Sequence, residues 1–151
     1  MKVLVIGASG FIGLPAARAL SRAGHEVFGL IRSKAMANQF LADEITPIIG
    51  DAEKPEDWIQ IVSTLDVIIE CVGGNTNISV LGPTLLQAVS SAAKALRPIG
   101  APKLSYIYTS GIWIHGDSRT EIVTDTTPLT NPVQLVACAP HSNSRSSMTP
   151  S

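Results

Sequence analysis

A chain of 151 residues is the size of a single domain, enough to bury roughly two-thirds of its unfolded surface. With 45% hydrophobic and only 15% charged residues it suits a sheet buried on both faces. The net charge of −1, from 11 basic and 12 acidic residues, leaves no electrostatic footprint for nucleic acid or an anionic membrane surface, and neither is expected as a partner.

Residues 2–6 (KVLVI) are short, continuous and β-branched, the pattern of a central buried strand. Residues 11–23 predict a helix with Ile12, Ala16, Ala19, Leu20 and Ala23 on one face. Pro15 falls in its first turn, where N–H groups lack an intrahelical partner, and Gly24 stands in the C′ place. Residues 26–31 (EVFGLI) read as a second strand, 34–41 as a short helix, and 46–49 (TPII) as a third strand with Pro47 at its start. Residues 55–65 predict a helix with Pro55 near N1 and Trp58, Ile59 and Val62 inward. A fourth strand, 66–72 (DVIIECV), is closed by Gly73-Gly74. A longer helix over 83–96 carries Leu85, Leu86, Val89, Ala92, Ala93 and Leu96 at helical spacing, and 103–108 (KLSYIY) is a fifth strand. Strands alternating with helices in this order predict an α/β fold, a Rossmann-type doubly wound parallel sheet of about five strands with right-handed crossovers.

The character changes after Gly116. Residues 117–131 are polar and Thr-rich, 133–137 form a brief apolar patch, and 141–151 contain one apolar residue, a methionine. Such a tail cannot bury enough surface to offset its ordering entropy. The expected division is a partial dinucleotide-binding domain over 1–137 and a disordered tail over 138–151. Cys71 and Cys138 fit no CxxC or metal-ligand spacing, so no metal is expected, and Cys71, in an apolar run, reads as a buried thiol. Met1-Lys2 leads straight into the first strand, so no signal peptide is expected. No apolar run reaches the length of about 18 residues that spans a bilayer. A cytoplasmic location is the expectation.

The chemistry lies in Gly7-Ala8-Ser9-Gly10-Phe11-Ile12-Gly13, a GxxGxxG set between a predicted strand and a predicted helix. Gly7 allows the tight exit from the strand, Gly10 lets the backbone approach a pyrophosphate, and Gly13 lets helix and sheet pack closely. The phosphates would meet free N–H groups at the positive end of the helix dipole. The alternative is a glycine-rich turn without a ligand; the absence of GK[ST] excludes a P-loop. Where an acidic residue would take the ribose 2′-OH of NAD, this chain has Arg32-Ser33-Lys34, which suits the 2′-phosphate of NADP or is a solvated pair of surface cations. NADP is the favoured cofactor, with NAD as the alternative. Asp51 either bonds the adenine amino group or caps the helix before Pro55. Cys71-Val72-Gly73-Gly74 either runs close under the nicotinamide-side ribose or simply turns. The candidate cofactor-binding residues are Gly7, Ser9, Gly10, Phe11, Ile12, Gly13, Arg32, Ser33, Asp51, Ala52, Cys71, Val72 and Gly73.

Together these residues resemble the extended or atypical short-chain dehydrogenase/reductases of the NAD-dependent epimerase/dehydratase type. GASGFIG is similar to the GxxGxxG of that group, Gly50-Asp51 to its adenine-side motif, and TSGIWIHG at 109–116 to its segment after the fifth strand. The resemblance implies an oxidoreductase acting on a small-molecule substrate. Aligned on Gly116, the family's active-site Ser/Thr falls on Gly111; Ser110 is one place off, Thr109 lies two residues deeper, and His115 stands for the usual tyrosine. The family's Tyr-x-x-x-Lys pair occurs nowhere, since Tyr106 and Tyr108 both lie in the fifth strand and Lys103 is the last lysine. The catalytic residues therefore stay unassigned. The chain reads as a C-terminally truncated member, inactive by itself, whose end at CAPHSNSRSSMTPS has the look of a frame or splice change. A non-catalytic NADP-binding regulatory or redox-sensing module, or a scaffold that binds no dinucleotide, are the competing readings. An uncovered edge at the fifth strand, with Trp113 and Ile114 exposed, is expected to favour self-association.

Overall fold

The β-branched runs pair side by side in one five-stranded sheet, in which every neighbouring pair is parallel. The strands are β1 (Lys2–Ile6), β2 (Glu26–Ile31), β3 (Ile45–Ile49), β4 (Val67–Glu70) and β5 (Ser105–Tyr108), in the order β3-β2-β1-β4-β5. The computed structural model describes residues 1–74, 77–117, 122–129 and 132. The apolar patch at 133–137 and the tail proposed over 138–151 lie outside the described residues.

Side-chain alternation divides the core into two layers. Leu4, Ile6 and Ile68 point to one face, where α3 (Ile78–Leu96) and the 3-10 turn Ile59–Thr64 pack with Leu85, Val89 and Val62. Val3, Val5, Val27 and Ile31 point to the other, under α1 (Gly13–Arg22) and α2 (Ala37–Ala42), which contribute Ala17 and Phe40. Burial on both faces is why β1 is apolar at each of Val3, Leu4, Val5 and Ile6 rather than at alternate positions. Arg97, just past α3, pins the end of that helix to the neighbouring segments: its guanidinium donates to the carbonyls of Val62 (3.2 Å), Leu65 and Pro102 (2.7 Å).

Several elements depart from the expected bounds for physical reasons. α1 begins at Gly13, so Phe11 and Ile12 belong to the loop and are exposed. Its inward face is Gly13, Leu14, Ala17 and Leu20, whereas Ile12, Ala19 and Ala23, expected inside, are exposed. Small residues at 13 and 17 let the helix lie close on the sheet. Pro47 sits at the centre of β3, opposite Gly29, because β3 is an edge strand and tolerates a missing N–H. The helix expected over 55–65 is instead two 3-10 turns, Pro55–Asp57 and Ile59–Thr64. They are separated by Trp58, whose φ of −132° breaks the helical path. α3 starts at Ile78, five residues before the expected Pro83. The proline is exposed and lies inside the helix, while Leu81 and Gly82 of the preceding turn are buried.

Candidate functional site

At the C-terminal ends of β1 and β4, where the strand order reverses direction, a groove of about 400 Å³ opens. This is the switch point at which open parallel sheets hold ligands. Its floor is the turn after β1. Gly7 has φ of 79°, and a Cβ there would stand 2.8 Å from the Cys71 carbonyl oxygen, so no side chain fits. The Gly10 N–H donates to the Gly7 carbonyl (2.9 Å) and the Leu14 N–H to the Gly10 carbonyl (3.0 Å), folding the loop onto the start of α1. A Cβ at Gly13 would overlap the Gly7 carbonyl. The first turn of α1 has neither an acidic residue nor a side-chain cap, so its positive end faces the groove unneutralised.

One end of the groove is formed past β2 and β3. Arg32 is exposed, lines the groove and makes no ion pair among the described residues, where the two pairs are Lys2–Glu26 and Arg18–Asp43. Gly50, Asp51, Ala52 and Glu53 line the same end beside it. The Glu53 N–H donates to Asp51 Oδ1 (3.1 Å), so this carboxylate caps its own turn and not the Pro55–Asp57 turn, whose N-cap is Lys54.

The other end is formed by Cys71, Val72, Gly73 and Gly74 after β4. Cys71 is half-buried rather than buried, with Sγ 3.3 Å from Thr109 Oγ1. Directly before it lies Glu70, only 1% exposed. The Tyr106 hydroxyl donates to Glu70 Oε2, and the buried Oε1 has no partner among the described residues. Burial raises the Glu70 carboxyl above its ordinary value, with the Tyr106 hydrogen bond partly opposing the rise. Burial, reinforced by the Glu70 charge, pushes the Tyr106 phenol far above its ordinary range. Tyr106 is thus a neutral, committed donor below the sheet's end.

Beyond β5 a second, open cleft holds Ser110, Gly111, His115, Thr124 and Asp125. Ser110 and Gly111 share this cleft, although alternation along a continuing strand would turn neighbouring residues to opposite faces. The chain has left β5 at Tyr108, so alternation no longer applies. Trp113 is exposed as expected, but Ile114 is buried, because the turn Ile112–His115 points it inward.

Of the residues singled out in the sequence, Gly7, Ser9, Gly10, Phe11, Ile12, Arg32, Asp51, Ala52, Cys71, Val72 and Gly73 all line the groove. Gly13 lies beneath it as a packing residue, and Ser33 is exposed outside its lining. Leu30, Gly50, Glu53, Gly74 and Leu81 also line it. Three of these adjoin predicted positions, and Leu30 precedes Arg32 at the end of β2. Leu81 carried no signal, because its helix was expected to begin after it.

The chain is 42% identical over 69 residues to an uncharacterized protein of Schizosaccharomyces pombe, a match covering 46% of this chain and 23% of that protein. It is 31% identical over 81 residues to an isoflavone reductase homolog of Nicotiana tabacum, covering 48% and 26%. It therefore spans about a quarter of the length of these relatives. Its fold is similar to that of a UDP-glucose 4-epimerase from Bifidobacterium longum solved with NAD+ and UDP, with a TM-score of 0.73 at 17% identity over 95% of this chain and 47% of that one. These likenesses bear out the resemblance to short-chain dehydrogenase/reductases read from GASGFIG. No helix among the described residues is long and apolar enough to cross a membrane. With the model of the NAD(P)H-binding family matching residues 7–128, the glycine turn, the groove above it and most of the sheet included, the chain belongs to that family.

Proposed function

We propose that this chain is a reductase- or epimerase-type domain that takes NADP in preference to NAD and, as these 151 residues, holds it without turning it over. One observation carries the cofactor preference: Arg32 lines the groove at the end of β2 without an ion pair among the described residues, and residues 32–36 (RSKAM) offer no carboxylate to a ribose 2′-OH. In this reading the pyrophosphate lies over Gly7–Gly13, the adenine against Asp51 and Ala52, and the nicotinamide toward Cys71–Gly73. Lys34, exposed one turn away, reinforces Arg32 at long range. The non-catalytic reading of the chain as it stands, a regulatory or redox-sensing module, draws support from Tyr106, whose hydroxyl is committed to Glu70. Proton delivery of the kind worth about 10²–10⁴-fold in rate then has no tyrosine–lysine pair to come from. Ile107, Ile112 and Trp113, exposed beside the open β5 edge, support self-association, and the NAD(P) site and charge balance fit a cytoplasmic protein.

Calorimetric titration with NADPH and NADH tests the preference. A charge-assisted contact with the 2′-phosphate is worth about 1.5 kcal/mol at an exposed site, so NADPH is expected to bind roughly tenfold tighter. The advantage should shrink as salt is added. Arg32→Ala should remove most of it. Equal affinities in the unaltered chain, or an unchanged ratio in the variant, would refute the preference. On the same sample, steady consumption of NADPH with aldehydes or ketones would refute the non-catalytic reading, and a concentration-independent monomer on sizing would refute self-association.

A further inference from the structure

We infer that Trp58, which lies outside the groove, is the positioning residue for its adenine end. The inference rests on the proposed placement of the adenine against Asp51 and Ala52. Trp58 is 4% exposed, and its indole N–H donates to the Asp51 carbonyl at 2.8 Å. The Lys54 N–H donates to the same oxygen at 3.1 Å, so both lone pairs of that carbonyl are engaged by residues that do not line the groove. The peptide linking Asp51 to Ala52 is trans and planar, so its N–H points opposite to its carbonyl. Holding the carbonyl down on Trp58 therefore turns the Ala52 N–H toward the groove that Ala52 lines. It also fixes the Cα from which the Asp51 carboxylate projects.

The indole ring sets the height of the same loop. A Cβ at Gly50 would stand 3.0 Å from Trp58 Cδ1 and 3.1 Å from Leu30 Cδ1, so the backbone of Gly50 rests directly on these two side chains. Its N–H is tied to the Ile31 carbonyl (3.0 Å), which leads into Arg32. Trp58 can do this because it interrupts the two 3-10 turns and swings back beneath the loop instead of continuing a helix. A phenylalanine or leucine would fill much of the space but leave the Asp51 carbonyl with one donor fewer.

The test compares the full chain with Trp58→Phe by calorimetry, using NADPH, NADH, 2′,5′-ADP and reduced nicotinamide mononucleotide as probes. Loss of one net hydrogen bond's worth of loop order corresponds to about three- to tenfold in affinity. That loss is expected equally for NADPH, NADH and 2′,5′-ADP, with the NADPH to NADH ratio and the binding of the mononucleotide unchanged. Val62→Ala is the control, since it thins the same packing layer without touching the hydrogen bond: it should lower the melting temperature and leave 2′,5′-ADP affinity alone. Should Trp58→Phe not fold, replacement of Trp58 by benzothienylalanine, with sulfur in place of the N–H, answers the same question with the ring kept. Unaltered 2′,5′-ADP affinity in the folded variant would overturn the role of Trp58. An equal loss in Val62→Ala would also overturn it, by showing that any loosening of the core suffices. An unaltered chain that binds NADPH but not 2′,5′-ADP would overturn the adenine placement itself.

Discussion

Gly10→Val should cost the chain its dinucleotide binding while most of its helix content survives. A Cβ at Gly10 meets only the Gly7 carbonyl oxygen, at 3.1 Å, so a side chain there asks the loop for a shift of a few tenths of an ångström. The rest of the valine would occupy the groove over the start of α1, where Gly10 lines the wall. Displacing a pyrophosphate from two charge-assisted N–H contacts at about 1.5–3 kcal/mol each lowers affinity by a factor of roughly a hundred or more. Gly13→Ala makes the contrast, because its added carbon would overlap the Gly7 carbonyl itself and the cost falls on the fold. Circular dichroism and calorimetry on one sample of each variant separate the two cases. Normal binding by a folded Gly10→Val chain would show that the phosphates lie elsewhere.

The second large effect concerns pH. Glu70 has a folded-state pKa raised above the ordinary 4.5 by burial. Below that value the carboxyl is protonated both folded and unfolded, and its contribution to stability is fully present. As pH rises past 4.5 the unfolded chain releases the proton while the folded chain keeps it, so stability falls by about 1.4 kcal/mol per pH unit until the folded pKa is passed. Glu70→Gln removes that slope. The amide oxygen can still accept from the Tyr106 hydroxyl, and no charge has to form beside an unpartnered buried atom. The variant should match the original chain below pH 4.5 and exceed it above, by a gap that widens until the raised folded-state pKa is passed. Denaturant melts of both proteins across that range decide the matter, and two curves that stay parallel would contradict the raised pKa.

Much of this architecture was legible in the chain. β2 falls on the expected residues, β1 likewise, and the glycine turn lies where GASGFIG placed it. These features depend on local rules: runs of β-branched residues extend, and a glycine with φ of 79° is needed where the backbone doubles under β4. What escaped depends on tertiary context. Pro47 marks a strand start by local chemistry, yet it lies mid-strand because no described strand pairs beyond β3. Pro83 carries the local signature of a helix start, whereas the turn before it, with Leu81 in the groove wall, carries none. Trp58 looked like an ordinary inward residue of a helix, and nothing near it in the sequence announces a bond back to Asp51. Glu70, in the middle of DVIIECV, was read only as part of a strand; its burial against Tyr106 follows from the pairing of β4 with β5.

The strand order also dictates a sequence of events during synthesis. β1 pairs with β2, the next strand in the chain, and β3 joins at the outer side of β2, so local pairing alone can build the ledge carrying Arg32, Gly50 and Asp51 before β4 docks. The opposite ledge, Cys71–Gly74, exists only once the chain crosses back over β1 and closes a much longer loop, an entropically slower step. With the adenine placed as proposed, a nascent chain would present that half of its groove before the other half. A nucleotide bound early would bias the order of assembly, since it would reward the β1-β2-β3 platform before the closing strand has paired.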